Sequence, residues 1–284
     1  MCPACLSAAT LAATAGFPAA SAFLAGAIVK LADAALPRPI RRPTVKTTPV
    51  VSREEWLAAR VALLIREKEL TRQRDALAEA RRRLPLVRVS KEYRLEGPAG
   101  PAALLDLFGP NPQLIVYHFM FDPAWSEGCP SCSHCADNFA GAVVHLAARH
   151  TAFAAVSRAP ILKIEAFRRR MGWNFPWYSS YGTDFNYDFH VTLAKAAHSI
   201  EYNFGDAEEL HQAGKLWATE GELPGVSVFL REGEETFHSY STYSRGLDLL
   251  LNTYNYLDLT PLGRQDLPDG NPQGWIRHHD RYPT

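Results

Sequence analysis

Residues 113–135 read QLIVYHFMFDPAWSEGCPSCSHC and combine the two strongest signals in the chain. The run QLIVYHFMF, residues 113–121, is almost continuously apolar, which is typical of a strand buried on both faces. A polar turn at residues 122–128 leads to two cysteines separated by two residues, and apolar residues then recur at helical spacing from 132 to 149. This stretch therefore predicts a buried strand, a Cys-x-x-Cys pair and a helix in succession.

The pair reads Cys129-Pro130-Ser131-Cys132, and its place at the start of a predicted helix makes it a candidate redox site. Backbone N–H groups at a helix N-terminus stabilise negative charge, so a thiolate at Cys129 is expected near neutral pH. Cys132, one turn along, can then attack a mixed disulfide. Pro130 suits the first helical position, where its missing N–H is not needed. We predict Cys129 as the attacking thiolate and Cys132 as the resolving thiol.

A metal site is the main alternative for this cluster. Cys129, Cys132, His134 and Cys135 offer three sulfurs and one nitrogen, a donor set that zinc accepts. Structural zinc sites usually draw ligands from two separated segments, however, and residues 136–284 contain no further cysteine, so the fourth thiolate of an iron–sulfur site is also missing. The sequence favours dithiol chemistry without metal or cofactor. It leaves a zinc site and purely structural cysteines open, and Cys135 fits a buried small residue.

The body of the chain, residues 85–284, alternates predicted strands and helices. Their order is β-α-β-α-β-β-α around the early central strand, with residues 194–223 as an irregular insertion and a hairpin formed by residues 226–230 and 236–240. This order is typical of an α/β thioredoxin-like domain, in which helices flank a central mixed sheet. Such folds place a cis-proline before the strand that faces the cysteines. Pro224 has this position and is our candidate for substrate docking, although the sequence does not reveal its isomer.

Eight aromatic residues crowd residues 173–189. A rigid loop packed over the sheet explains this density, and an apolar wall beside the cysteines that selects substrates is the alternative. Trp173 and Trp177 are the candidate substrate-binding residues under the second interpretation. His118 on the central strand and His134 beside the cysteines are candidates for tuning the thiolate, as is Pro130.

Composition limits the classes of function. The chain has 284 residues, of which 47% are hydrophobic, so it can bury a core. Its formal charge is zero, but residues 85–284 hold sixteen basic and twenty-three acidic residues, a net charge of −7. Such a surface is unfavourable for nucleic acid, so we expect no nucleic-acid partner.

Residues 1–51 differ from the body. Residues 1–35 form an apolar extension in which residues 6–29 are long enough to span a membrane, and the basic residues that follow favour a cytoplasmic body. We therefore predict a cytoplasmic protein, with tethering to the inner face of the membrane as one hypothesis. A mobile tail, a start codon placed too early and a cleaved signal peptide are the others. Residues 36–51 are typical of a proline-rich basic linker. The extension also holds a second Cys-x-x-Cys pair, Cys2 and Cys5.

A long amphipathic helix is predicted at residues 52–84. Ser52 and Glu55 have the spacing of a capping box, and neither glycine nor proline follows before residue 85. A narrow stripe repeats every seven residues and needs something to cover it. Packing against the body and a homodimerisation arm are the two interpretations. The stripe consists of Trp56, Leu63, Leu70, Leu77 and Leu84.

Several segments resemble one bacterial domain-of-unknown-function family from about residue 51 to the WIRHHDRY segment near the C-terminus. Members are described as predicted dithiol–disulfide oxidoreductases with a thioredoxin-like fold, so the resemblance implies that fold and a thiol role for Cys129 and Cys132. The peroxiredoxin signature P-x-x-x-T-x-x-C is incomplete, because Pro123 is not followed by the required threonine, and a peroxidase is the weaker variant. The resembling segments are VSREEWLAAR, EKELTRQRDALAEARRRLP, QLIVYHFMF, EGCPSCS, VSRAPILKIEAFRRRMGWNFPWYSS, STYSRGLDLL and TYNYLDLTPLGR.

The sequence thus predicts a thiol–disulfide oxidoreductase that acts on a protein or small-molecule thiol or disulfide. The alternative is a non-catalytic thioredoxin-like binding module, either membrane-tethered or metal-binding.

Overall fold

The computed structural model describes residues 48–194, 200–215, 220–265 and 273–283. The apolar extension, with its candidate membrane segment and the Cys2–Cys5 pair, lies outside these ranges, as do residues 36–47 of the predicted linker. None of the helices within the described ranges has both the length and the hydropathy to cross a membrane.

Helix α1, Arg53–Arg82, confirms the predicted long helix. Ser52 Oγ accepts a hydrogen bond from the N–H of Glu55 at 3.2 Å, and Glu55 Oε2 accepts one from the N–H of Ser52 at 2.9 Å, which completes the capping box. Of the two interpretations of its stripe, packing against the body is not seen, because none of the thirty residues of α1 is buried. The members of the seven-residue stripe are between 46% and 58% exposed. Ion pairs within the helix, such as Arg72–Glu69 at 2.7 Å, favour helix formation without tertiary burial.

An eight-stranded mixed sheet forms the centre of the body, in the order β1-β12-β11-β4-β5-β6-β2-β3. Strands β4 and β5 are parallel, whereas β11 runs antiparallel to both β4 and β12. The inner order β12-β11-β4-β5 is the thioredoxin-like arrangement predicted from the sequence. The strands are β1 Val87–Arg88, β2 Arg94–Gly97, β3 Gly100–Ala103, β4 Gln113–His118, β5 Thr151–Ser157, β6 Trp177–Ser179, β7 Thr192–Leu193, β8 Glu201–Tyr202, β9 Gly205–Asp206, β10 Gly221–Glu222, β11 Gly225–Glu232 and β12 Glu235–Tyr243.

The helices differ from prediction mainly in where they end. The single helix predicted from residue 132 to 149 is two helices, separated by a break at Asp137 and Asn138. In its described residues, the insertion predicted as irregular at 194–223 contains β8 paired with β9, a helix at Ala207–Gln212, and β10, which pairs with β7 just before the insertion. The remaining helices are α2 Pro130–Ala136, α3 Phe139–Ala147, α4 Ile161–Arg170, α5 Phe185–Asp188, α6 Ala207–Gln212 and α7 Asn252–Leu257, with 3₁₀ helices at Leu104–Phe108, Ser244–Leu250 and His279–Arg281.

Alternation along β4 sends its side chains into two separate cores. Tyr117 belongs to the core that also contains Cys132 and Cys135, whereas Leu114 and Val116 belong to the core on the other face. The near-continuous apolar run of β4 is explained by burial on both faces. Cys132 and Cys135 therefore pack in one core, on the face of the sheet that α2 covers.

Candidate active site

The loop between β4 and α2 delivers Cys129 to the start of the helix. Cys129 is the N-cap of α2 and Pro130 is the first helical residue, as the sequence predicts. The N–H of Cys129 donates to the carbonyl of Met120 at 3.0 Å, which ties the end of the loop to its beginning. Gly128 is packed so tightly that an added Cβ would lie 2.7 Å from ring atoms of both Phe119 and Phe167. The backbone that carries Cys129 is therefore held from both sides.

Cys129 is the activated thiol of the pair. Its pKa falls from 9.0 to about 7, chiefly because the thiol of Cys132 hydrogen-bonds to its sulfur. The N–H groups of Cys132 and Ser131 and the Ser131 hydroxyl also lower the pKa, while burial opposes the change. Since Cys129 is only partly buried, its sulfur combines a thiolate near neutral pH with access from solvent.

Cys132 has the opposite environment. It is 2% exposed, and burial, followed by the hydrogen bond to Cys129 and the charge there, raises its pKa well above the usual value. The N–H of Met120 donates to Cys132 Sγ at 3.4 Å. Hydrogen bonds from Tyr117 and from Met120 act in the other direction and lower the pKa. The pair therefore holds one proton on Cys132 while Cys129 ionises.

Tyr117 links Cys132 to the third cysteine of the cluster. Its side chain is 2% exposed and hydrogen-bonds to the thiols of both Cys132 and Cys135. Cys135 is also 2% exposed, and burial raises its pKa to about 12. Its sulfur lies 3.9 Å from the carbonyl oxygen of Leu250. Cys135 is thus a buried small residue that stays a thiol at neutral pH.

The two histidine candidates do not contact the thiolate. His118 projects from the opposite face of β4, where its Nε2 lies 2.9 Å from Ser227 Oγ and its ring stacks on Phe189. Burial lowers the pKa of His118 to about 3, so it stays neutral. The expectation that His118 tunes Cys129 is therefore wrong, because the sheet separates them. The ring of His134 packs against Tyr254 and Trp275, not against the sulfurs.

Trp173 and Trp177 do not form a substrate-selecting wall. Trp173 is 7% exposed and donates its Nε1–H to Asp137 at 2.8 Å, while Trp177 is fully buried and donates to Ser157 Oγ at 2.9 Å. Both belong to the core on the α2 face. The substrate-binding prediction for these tryptophans is corrected to a packing role, because both rings pack against Phe167 of α4 in this core.

Pro224 immediately precedes β11, beside the end of β4. No peptide bond among the described residues is cis, so the cis isomer considered for Pro224 is not found. The carbonyl of Pro224 accepts a hydrogen bond from the Tyr202 hydroxyl at 3.0 Å, and the N–H of Leu223 donates to Val191 at 2.8 Å. The backbone groups expected to receive a substrate are already bonded within the chain, and docking at partly buried Pro224 stays a prediction.

The donor set considered for zinc does not converge. Within the described ranges, no group of three or more histidine, cysteine, aspartate or glutamate side chains is placed to hold a metal ion. The side chain of His134 points toward aromatic neighbours while Cys132 and Cys135 point toward Tyr117.

Sequence reasoning did not identify Tyr117 or the residues of the C-terminal segment as parts of this site. The phase of β4 was the available signal for Tyr117, since it places that residue on one face with Phe119. No sequence signal indicates that His278 reaches Gly128, 150 positions away.

Comparison with models of known protein families gives a match over most of the chain. The model of a bacterial protein family of unknown function, DUF899, matches residues 45–282. The chain belongs to the DUF899 family. No curated protein sequence matches this DUF899 protein significantly.

Solved structures similar to the DUF899 protein include peroxiredoxins. A mutant of PrxQ from Xylella fastidiosa has a TM-score of 0.38 and 14% identity, over 58% of this chain and 88% of that one. A mutant of peroxiredoxin Q from Xanthomonas campestris has a TM-score of 0.36 and 15% identity, over 57% and 90%. Peroxidoxin BcpB from Mycobacterium tuberculosis has a TM-score of 0.34 and 14% identity, over 61% and 97%. Similarity at this level does not transfer the reaction of these proteins to the DUF899 protein.

Proposed function

We propose that this DUF899 protein is a thiol–disulfide oxidoreductase. The observation that carries the proposal is the placement of Cys129, partly exposed at the N-cap of α2, one turn before buried Cys132, whose sulfur accepts a hydrogen bond from Met120. The opposite directions of the pKa changes at Cys129 and Cys132 agree with this placement. A nucleophilic thiol must ionise near ambient pH, and a resolving thiol must stay protonated until it is needed. This pair has both properties.

The first step is attack on a substrate disulfide. The Cys129 thiolate forms a bond to one substrate sulfur, the substrate S–S bond breaks, and the departing sulfur leaves as a thiolate that takes a proton from solvent. The product is a mixed disulfide between Cys129 and the substrate. Because Cys129 is the partly exposed member of the pair, the incoming sulfur can approach it from solvent.

The second step is resolution by Cys132. Once Cys129 is in the mixed disulfide, its negative charge no longer raises the pKa of Cys132, while the hydrogen bonds from Tyr117 and the Met120 N–H still favour the thiolate. Cys132 loses its proton and attacks Cys129 Sγ, and the second substrate sulfur leaves and is protonated. The substrate gains two electrons, and Cys129 and Cys132 become a disulfide. A cellular thiol or dithiol must return these two electrons before the next cycle.

Reduction of insulin disulfides by the purified protein, driven by dithiothreitol, tests the proposal. We expect the wild-type protein to accelerate reduction and Cys129→Ser to fall to the uncatalysed rate. After reduction and removal of dithiothreitol, Cys132→Ser mixed with insulin should accumulate a mixed disulfide that mass spectrometry can identify. Cys135→Ser is the matched control, since it removes a thiol of the same helix and should retain activity. Cys2→Ser/Cys5→Ser measures the contribution of the N-terminal pair. Wild-type activity equal to that of Cys129→Ser would refute the proposal.

A further inference from the structure

The C-terminal segment, residues 273–283, returns to the loop that carries the cysteines. His278 is 4% exposed, and its Nε2 lies 2.8 Å from the carbonyl oxygen of Gly128. Gly128 directly precedes Cys129, so this hydrogen bond holds the peptide group that carries the reactive residue.

The hydrogen-bond pattern defines the tautomer of His278. A carbonyl oxygen only accepts, so Nε2 must carry the hydrogen that is shared with Gly128. Arg170 Nη2 lies 3.4 Å from Nδ1, and a guanidinium nitrogen only donates, so Nδ1 accepts. Glu127 Oε2 lies 3.6 Å from the same nitrogen. The ring is therefore oriented with its Nε2–H aimed at the Gly128 carbonyl.

Charged residues fix Arg170, which in turn fixes His278. Arg170 donates to Asp280 Oδ2 at 2.8 Å and Oδ1 at 2.9 Å, and to Glu127 Oε1 at 2.6 Å. Arg281 pairs with the same glutamate. Glu127 lies two residues before Cys129, so this network anchors the C-terminal segment to the active-site loop at two successive residues, 127 and 128.

Gly128 is the place where such support matters most. Its lack of a Cβ is required by the close approach of Phe119 and Phe167, but it also gives the backbone the greatest rotational freedom. A rotated peptide between residues 128 and 129 would turn the N–H of Cys129 away from Met120 and would point the Gly128 carbonyl at the Met120 carbonyl instead. Because the N–H of Met120 also holds the sulfur of Cys132, loss of this link would move Cys129 relative to the thiol that stabilises its thiolate.

We propose that His278 is a positioning residue for Cys129, which holds the Gly128 peptide in the orientation that keeps the Cys129 sulfur reactive. This inference deepens the proposed function and rests on it. His278 does not touch the substrate: it acts through Gly128, and the C-terminal segment is thereby part of the redox site.

Two substitutions of equal length isolate the hydrogen bond. His278→Gln keeps an N–H donor near the position of Nε2, whereas His278→Met fills a similar volume without a donor. His279→Ala is the control, because His279 Nδ1 lies 2.7 Å from Asp137 Oδ1 at the other end of α2 and makes no bond to Gly128. Alkylation of Cys129 by iodoacetamide in the reduced full-length protein is followed against pH by mass spectrometry, with fragment ions that distinguish the cysteines.

We expect His278→Met to shift the alkylation profile of Cys129 to higher pH and to lower the rate at pH 7 about threefold to tenfold, the range for loss of one average hydrogen bond. His278→Gln should restore the wild-type profile, and His279→Ala should leave it unchanged. An unchanged profile in a folded His278→Met protein would overturn the proposal, as would equal effects of Met and Gln. Alkylation does not require turnover, so this result is independent of the insulin assay.

A measurement on the wild-type protein covers the case in which the methionine variant fails to fold. The ¹⁵N chemical shifts of the histidine rings report the tautomer, and the signal of His278 is assigned by its loss in His278→Gln. The Nε2–H tautomer is the expected result. The Nδ1–H tautomer would refute the proposal, because Nε2 could then not donate to Gly128.

Discussion

The backbone N–H of Met120 donates a hydrogen bond to the sulfur of Cys132 at 3.4 Å, so the start of the loop after the central strand holds the buried thiol of the pair directly. Tyr117, three residues earlier, hydrogen-bonds to the same sulfur. Both donors favour the thiolate in a site where burial opposes it. The timing of Cys132 ionisation is thus controlled by the strand and the loop that precede the motif, in addition to the motif itself.

Replacement of Tyr117 by Phe should slow resolution and not attack. The change removes a hydrogen bond that lowers the pKa of Cys132, so the thiolate becomes rarer, and we expect the second step to slow about threefold to tenfold. Rapid mixing with a chromogenic disulfide, quenched with acid, separates the mixed disulfide from the final product. Tyr93→Phe is the control, since its hydroxyl bonds to Asp188 at 2.8 Å on the other face of the sheet. Slower formation of the mixed disulfide, with normal resolution, would contradict this role.

The reactivity of Cys129 should follow its own ionisation. With a pKa of about 7, the thiol is protonated below this pH and a thiolate above it, so the alkylation rate should be low at pH 5, half-maximal near pH 7 and constant above pH 8. Cys135, with a pKa of about 12, should not react in this window. Stopped-flow absorbance of the thiolate at 240 nm, wild type minus Cys129→Ser, measures the same titration. A midpoint near the free-cysteine value of about 8.5 would indicate an unactivated thiol.

Local sequence signals predicted the parts of the fold that depend on local chemistry. The capping box of α1 and the apolar run of β4 were identified because each is encoded within a few residues. The boundary errors have physical reasons. The apolar run continues to residue 121, but the chain leaves the sheet after His118 and forms a loop in which the Met120 carbonyl accepts a hydrogen bond from the N–H of Cys129. The helix predicted from residue 132 breaks at Asp137, whose carboxylate accepts a hydrogen bond from Trp173 Nε1.

Distant relationships account for most of what the sequence did not reveal about the site. The pattern at 129–132 identifies the cysteine pair and the helix that follows it. It does not show on which face of the sheet His118 lies, because that depends on the phase of the strand. Nor does it show whether Trp177 is exposed or buried. Contacts such as that between His278 and Gly128 join segments with no shared pattern. Charge and aromatic content indicate that such residues matter, but not what they touch.

Ionisation of the Glu222 carboxyl group makes the free energy of unfolding depend on pH. Burial raises its pKa to about 7, although Arg158 lies 3.2 Å away and Thr192 donates a hydrogen bond at 2.9 Å. A carboxyl whose pKa is higher in the folded state binds more protons there, so folding loses stability as pH rises from about 4.5 to 7. Glu222→Gln removes this dependence.

We therefore expect Glu222→Gln to gain stability relative to wild type between pH 5 and pH 8. The upper limit of the gain is about 3 kcal/mol, from 1.36 kcal/mol per pKa unit. Urea denaturation of both reduced proteins at pH 5 and pH 8 measures this difference in the free energy of unfolding. The contributions of groups that titrate alike in both proteins cancel in the comparison. A constant difference between the two proteins would show that Glu222 does not titrate in this range.

The exposed stripe of α1 predicts self-association. A 30-residue helix is about 45 Å long, and a strip about 12 Å wide along it covers about 500 Å². This is close to the roughly 600 Å² per partner at the low end of stable interfaces. Because five large apolar side chains in one row are left about half exposed, we expect a second copy of the chain to cover them in a concentration-dependent dimer.

Substitution within the stripe should abolish the dimer. Leu63→Glu/Leu70→Glu places two charges in the strip, at side chains that are 46% and 58% exposed in the single chain, so folding should be unaffected while association is lost. Lys68→Glu also changes the charge of α1, but on the face opposite the stripe, and is the control. Sedimentation equilibrium over a range of concentrations measures the mass. Wild-type protein that stays at the mass of one chain at every concentration would exclude the dimer, and a double variant that still dimerises would place the interface elsewhere.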